Sequence, residues 1–309
     1  MQLKNFLGIK YPILQGGMAQ IATGSFAAAV SNTGALGIIA GGGKNAEELR
    51  AEIHTLRSLT SEPFGVNVML LAPDIESIAE MLAEERVPVI TTGAGDPSKY
   101  IGAWKAAGSK VIPVIPSVAF AKRMEKYGAD AVIAEGTESG GHVGELATMA
   151  LVPQVVSAVN IPVIAAGGIA SGGQLCAAFA LGAIGAQMGT ALLVSTECPI
   201  HDNYKQMLLE ARDTSTIVTG RSLGAPVRVI KNKRARAFVE LEKETTNRED
   251  FEHLALGALR RAVFDGDKDR GSFMAGQVAG QCAEIEPLQA IFERIMSEYN
   301  TAREGLPVL

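Results

Sequence analysis

Ala131-Val132-Ile133-Ala134-Glu135-Gly136-Thr137-Glu138-Ser139-Gly140-Gly141-His142-Val143-Gly144 passes from an uncharged apolar run into a glycine-rich loop around one histidine. The apolar part, Ala131 to Ala134, is led in by Gly128 and Asp130 and reads as the end of a buried strand. Glycines on both sides of His142 remove side-chain bulk where a flat or phosphorylated molecule would approach the backbone. A histidine there is the side chain in the loop suited to proton exchange near neutral pH. A tight turn with an incidental, solvated histidine would be spelled the same way. The glycines crowd the carboxyl end of a strand, however, and that placement points to a functional loop.

Working outward, the same alternation recurs. Short apolar runs lie at Tyr11–Gln15, Ala35–Ala40, Phe64–Leu71, Val87–Thr91, Lys110–Ile115, Ala131–Ala134, Pro162–Ala166 and Ala183–Met188. They are rich in Val and Ile and nearly free of charge, as strands buried on both faces of a parallel sheet must be. Helical segments separate them. Asn45 can cap one through Leu59, and Asp74 can cap Ile75 to Glu85. Others start at Ser98 and Ser117, span Leu146 to Val159, and run from Ser171 to a stop at Gly182. Eight β-α units in roughly 200 residues predict an α/β fold, a (β/α)8 TIM barrel over residues 1–212. A doubly wound open sheet is the alternative. It would call for an antiparallel edge or a Gly-x-Gly-x-x-Gly first turn, and neither is present.

After Arg212 the pattern changes. Thr214–Val218 and Val227–Ile230 read as strands, and Arg248–Val263 and Glu286–Arg303 as helices. A loop from Gly266 to Gln277 lies between those helices. Residues 213–309 are expected to form a small, mainly helical C-terminal subdomain over the barrel mouth.

Composition narrows the function. The chain of 309 residues is 47% hydrophobic, enough for a large core, and its net charge of -5 offers no basic excess for nucleic acid. Cys176, Cys198 and Cys282 are scattered without a Cys-x-x-Cys, which argues against a zinc framework and for free thiols. The first residues carry no export signal, and no apolar run is long enough to span a bilayer, since Val111–Phe120 is broken by Pro113 and Pro116. A soluble, cytoplasmic protein is expected.

In a barrel the active site lies at the carboxyl ends of the strands, and phosphate is commonly held after the seventh and eighth. Those strands end in Ala165-Ala166-Gly167-Gly168-Ile169 and Gln187-Met188-Gly189-Thr190. Both should offer free amides beside a helix N-terminus, which suits a phosphate dianion. The first strand ends in Gln15-Gly16-Gly17-Met18-Ala19, where glycines would let a planar ring lie on the backbone. Asn67, inside an apolar strand, needs a hydrogen-bond partner, either structural or a ligand.

Several motifs are decoys. Gly41-Gly42-Gly43-Lys44 lacks the first glycine and the Ser or Thr of a phosphate-binding P-loop. Gly220-Arg221-Ser222-Leu223-Gly224 precedes a strand, whereas a nucleophile elbow needs a helix. Asp265, Asp267 and Asp269 lack the glycine and glutamate of a calcium loop. His54, His201 and His253 read as solvated or capping, and Cys176 as a helix-interior residue. The basic cluster Lys231, Lys233, Arg234 and Arg236 is a solvated face by default, with an acidic partner or a dinucleotide phosphate as the functional alternative.

Taken together and in order, Gln15-Gly16-Gly17-Met18, Ala134-Glu135-Gly136 through His142, Ala165 to Ile169, Gln187 to Thr190 and Ser272-Phe273-Met274-Ala275-Gly276-Gln277 resemble the flavin-dependent enoyl-acyl carrier protein reductases of bacterial type II fatty acid synthesis. These share a superfamily with the nitronate monooxygenases. The Gly271–Gln277 loop and Ala225-Pro226-Val227-Arg228 point more to the reductase branch. The resemblance implies an FMN site. Gly17, Met18 and Ala19 would face the isoalloxazine ring, and Asn67 and Glu135 its polar edge or ribityl chain. Gly140 and Gly141 would belong to the same pocket. Gly167, Gly168, Gly189 and Thr190 would cradle the phosphate, Gln187 would also bind the cofactor, and Met274, Ala275 and Gly276 would close over the flavin. His142 matches the family's active-site histidine. The resemblance also implies NADH or NADPH as co-substrate, acyl carrier protein as partner and a homodimer. It implies activation by a monovalent cation as well, with no site assigned. The alternatives are a nitronate monooxygenase and a flavin-free phosphate-binding barrel acting as a lyase or metabolite-binding protein.

Overall fold

The computed structural model describes residues 2–307, so Met1, Val308 and Leu309 at the two ends lie outside it. Eight parallel strands form one sheet: β1 Ile13–Gln15, β2 Gly37–Ala40, β3 Phe64–Met69, β4 Val89–Gly93, β5 Lys110–Ile115, β6 Val132–Glu135, β8 Val163–Ala166 and β9 Ala186–Met188. Their order is β1-β9-β8-β6-β5-β4-β3-β2. β7, Gly141–His142, belongs to a second sheet with β10, Thr216–Thr219, and β11, Val227–Ile230.

The barrel closes between β1 and β2 through a parallel bridge from Leu14 to Leu36. Only a short ladder spans that seam, and a side chain extends it. Gln15 is fully buried; its Nε2 donates to the Ile38 carbonyl at 3.0 Å, and its Oε1 accepts from the Ile38 amide at 3.3 Å. The side-chain amide thus stands in for a peptide unit, and substituting it would leave two buried backbone groups unpaired.

Helices precede, join and follow the strands. These are α1 Leu3–Leu7, α2 Gly24–Thr33, α3 Ala46–Leu59, α4 Ile75–Glu84, α5 Ser98–Ala106, α6 Val118–Lys126, α7 Thr148–Val156, α8 Gly172–Ala180 and α9 Asp202–Leu209. Asn45 caps α3 in a full capping box with Glu48. The expected cap at Asp74 is not made: its backbone is not extended and its side chain accepts no bond from α4. The pattern does not announce α2, because its uncharged, small-residue sequence has no polar face; six of its ten residues are buried. Inside the barrel, Leu14, Leu36, Ile38, Val89, Ile112, Ile133 and Ile164 pack with Leu3 and Leu7 of α1. Each such buried aliphatic chain contributes about 1.5–3 kcal/mol.

The C-terminal stretch carries α10 Lys233–Leu241, α11 Glu252–Ala255, α12 Ala258–Arg260 and α13 Leu288–Glu304. One long helix from Arg248 to Val263 was expected, and the structure corrects this. The segment breaks into a 3-10 turn, two short helices and a π-turn, because Gly257 takes φ +68° in its middle. This stretch is also not purely helical, since β10 and β11 reach back to the barrel loop at β7. α13 packs on α8 so closely that a Cβ on Gly172 would lie 2.0 Å from the Tyr299 amide nitrogen. No helix among the described residues is long and apolar enough to cross a membrane.

Candidate active site

A cavity of about 580 Å³ opens at the carboxyl ends of the strands. That size is typical of small-molecule sites. It gathers residues far apart in sequence: Gly17, Met18, Ala19, Asn67, Glu135, Gly140, Gly141, His142, Gly167, Gly168, Gln187, Gly189, Thr190, Met274 and Gly276 all line it. Ala275 does not. It is fully buried behind Gly140, whose Cβ, if present, would sit 2.6 Å from the Ala275 carbonyl carbon.

The loop after β1 begins at Gly16 and turns at Met18, whose carbonyl accepts from Ile21 and Ala22 at 3.0 and 2.8 Å. Gly17 must be glycine, because a Cβ there would lie 2.3 Å from the Asn67 Cβ. Asn67 itself finds a structural partner, its Nδ2 donating to the buried Thr91 hydroxyl at 2.9 Å, while still facing the cavity.

After β8, Gly167 and Gly168 take φ +91° and +72°. The first also passes so near Gly136 that a Cβ would be 2.6 Å from its carbonyl oxygen. Consecutive left-handed residues form a concave run of amides suited to an anion. The amides of Gly167, Gly168, Gly189 and Thr190 enter no backbone hydrogen bond among the described residues. The helix N-terminus expected to help is partly occupied. Glu298 of α13 accepts from Gly172 at 2.8 Å, and Gln174 accepts from Ala170 and Ser171 at 2.8 and 3.1 Å. Of the first amides of α8, that of Gly173 enters no hydrogen bond among the described residues, so the helix end leaves this one donor beside the glycine turns.

The loop after β6 is held from outside the barrel. Arg228 is buried; its Nε and Nη2 donate to the Thr137 carbonyl at 3.2 and 3.0 Å, and its Nη1 donates to the Thr216 hydroxyl at 3.2 Å. Burial pulls its pKa down, with Arg221 adding to the effect. In the antiparallel pairing of β11 with β7, Arg228 faces Gly141 and Val227 faces His142. His142 is exposed on that short strand. Glu138 was not singled out by its sequence. Its carboxylate accepts from the Thr148 amide at 3.0 Å and from the Thr148 hydroxyl at 2.9 Å, capping α7 from ten residues upstream. No spacing rule looks that far. The Met274–Gly276 loop is tied in by a bond from the Gly276 amide to the Thr190 hydroxyl at 2.9 Å, and by one from the Gln277 amide to the Glu138 carbonyl at 2.9 Å.

His142 is not the site's only group suited to proton exchange. Burial raises the Glu135 carboxyl to about 7. The Ser139 hydroxyl that faces it offsets part of the shift, yet stands outside hydrogen-bond geometry and has no other partner. A carboxyl poised there in a cavity is the kind of group found at functional sites.

The decoys have structural duties. Ser222 bonds Glu242, His201 caps α9, and His54 pairs with Glu85. His253 is exposed on α11. Of the basic cluster, Lys233 pairs with Asp269, and Arg234 turns inward to the Leu254 carbonyl, its pKa pushed down to about 10 by burial and Arg261. That cluster is not a continuous basic face. Cys176 is buried, and burial pushes the thiols of Cys198 and Cys282 up to about 12 and 11. No group of three His, Cys, Asp or Glu among the described residues could hold a metal ion.

This geometry has close counterparts. FabK from Thermotoga maritima superposes with a TM-score of 0.95 at 49% identity, covering 98% of this chain and 96% of that one. A nitroalkane oxidase from Streptomyces ansochromogenes gives 0.87 at 30% identity, with 99% of both chains covered. An octahydroindene-carboxyl-CoA dehydrogenase of Mycobacterium tuberculosis is 32% identical over 95% of this chain and 94% of its own. The family model described as nitronate monooxygenase matches residues 1–298. With its barrel, its glycine turns and its histidine loop in one mouth, the chain belongs to the nitronate monooxygenase family of oxidoreductases.

Proposed function

We propose that this protein reduces trans-2-enoyl thioesters carried on acyl carrier protein, using NADH or NADPH and a bound FMN. The observation that carries the reading is the division of one cavity into two ends. In the sheet order β8 and β9 stand across the mouth from β3 and β4. The first pair bears glycine turns with unpaired amides, a fit for a phosphate. The second bears Met69, Gly93 and Ala94, a fit for an alkyl group. FabK, at 49% identity, supports the reductase over the oxidase, at 30%.

Bound there, FMN would supply hydride transfer from nicotinamide to the β-carbon of the enoyl thioester. The chain supplies the surroundings. Gly167, Gly168, Gly189 and Thr190 hold the phosphate, and Gly17 to Ala19 and Asn67 line the ring. Residues 213–309 keep the loops over the barrel of residues 1–212. His142 donates a hydrogen bond to the thioester oxygen, where negative charge develops, or a proton to the α-carbon. A homodimer and a monovalent-cation requirement belong to this reading, as does work in the cytoplasm.

The test is anaerobic stopped-flow on FMN-loaded protein. Bleaching by NADH or NADPH and recovery on an enoyl thioester are expected. In His142→Ala, flavin should remain bound and recovery should slow by about 100-fold or more. Unchanged recovery would remove His142 from the chemistry. The second reading, nitronate oxidation, is favoured by the family model. It would show as no bleaching by either nicotinamide and rapid bleaching by a nitronate.

A further inference from the structure

Eleven glycines line the mouth cavity; at six of them an added Cβ would be crowded to 3.1 Å or closer, at four it would make ordinary contact at 3.5–3.6 Å, and at one it would touch nothing. That one is Gly93. Its backbone is not left-handed; it closes β4 as ordinary extended chain, so no turn demands glycine.

Strand alternation fixes which way the missing side chain would point. On β4, Val89 belongs to the barrel interior and Ile90 to the outer layer, so Thr91 and Gly93 face inward as well. On β3, Val66 and Val68 pack in the outer layer, so Asn67 and Met69 face inward. Met69 is in register with Gly93, and Thr92 with Pro113, which sets Val114 on the other side. The uppermost inward layer therefore has a gap at Gly93, walled by Met69 and Val114. Leu71, two residues past Met69, is 73% exposed.

We propose that the notch over Gly93, between Met69 and Val114, receives the alkyl tail of the substrate, and that the absent side chain at position 93 sets how long a tail the enzyme accepts. This rests on the reductase reading. A gap with apolar walls gains affinity from methylene groups and has no polar partner to offer a headgroup or a phosphate. It lies across the mouth from Gly189, away from the turns suited to phosphate.

The experiment compares wild type with Gly93→Ala, Gly93→Val and Gly93→Leu on crotonyl, octenoyl and dodecenoyl thioesters of coenzyme A, with bound flavin measured by absorbance for each. Wild-type turnover on the crotonyl thioester tests the reductase reading first. If that fails, the same variants are run on a series of nitroalkanes of rising length, so failure of the reading and failure of the notch remain distinct. The expected result is full flavin content in all variants and a loss that grows with tail length, smallest on crotonyl and reaching about tenfold or more on dodecenoyl in Gly93→Val. Met69→Ala, which widens the notch from the other side, should raise the dodecenoyl-to-crotonyl ratio. Equal loss at every length, or no loss at any, overturns the proposal. Loss of flavin in Gly93→Ala also overturns it, by assigning the gap to the cofactor.

Discussion

The two halves of the barrel mouth are built on opposite terms. After β6, β8 and β9, nearly every loop is pinned from the C-terminal stretch: Arg228 to Thr137, Gly276 to Thr190, Gln277 to Glu138, Glu298 to Gly172. After β3 and β4 the loops show no such hydrogen bonds among the described residues, with Leu71 and Met69 exposed and Gly93 bare. A ligand that stays bound rewards a stiff frame, because ordering is completed at folding and need not be repeated at each binding event. A ligand that comes and goes needs a side that can admit it. The pinned half fits a resident cofactor, and the open half fits a substrate.

The sharpest way to break this contrast is Arg228→Leu. It strips the donors from the half-buried Thr137 carbonyl and the Thr216 hydroxyl, and should cost about 2–3 kcal/mol in denaturant unfolding, with weakened flavin retention. If stability and flavin content are both unchanged, the half is not pinned by this residue. Next is the pH dependence of the flavin-free protein. The Glu135 carboxyl is raised from 4.5 to about 7 in the folded state, so the fold binds the extra proton. Its contribution is complete below about 4.5 and is lost as pH rises through about 7. Wild type should lose about 2 kcal/mol more across that window than Glu135→Gln. Parallel stability profiles for the two proteins would show that the carboxyl is not perturbed.

Thr190→Val removes the acceptor of the buried Gly276 amide and should cost about 1–2 kcal/mol, read as a shift in the denaturant midpoint. On the open half, Leu71→Ser should change stability by no more than about 0.5 kcal/mol. A larger loss there would mean that Leu71 is packed in solution and that the halves are more alike than described.

Much of this was legible in the chain. All eight barrel strands follow from apolar runs in which charge is confined to the ends, as with Lys110 and Glu135, because a strand buried on both faces cannot hide a charge in its middle. The glycine turns at Gly17 and Gly167 show themselves because nothing else fits there. What escaped reading depends on partners distant in sequence. β7 is two residues long and becomes a strand only when β11 lies beside it. Arg228 looks like any surface arginine until Thr137 is placed under it. The end of α8 reads as a free anion site until Glu298 arrives from 126 residues away. Gly257 hid in plain view, since one glycine in an amphipathic pattern is tolerated as often as it breaks the helix.

That last long reach has a consequence for how the molecule comes into being. A chain emerging from the ribosome has all eight barrel strands by Met188, yet Arg228, Gly276 and Glu298 are still unmade. Contacts of such wide sequence separation close late. The barrel can thus condense as a scaffold whose mouth stays unset, and its ligand-ready shape arrives only with the final helix. A nascent or truncated chain ending before α13 is therefore expected to leave the core beside α8 uncovered, where Leu288, Ile291, Phe292 and Ile295 would pack, and to be empty in function.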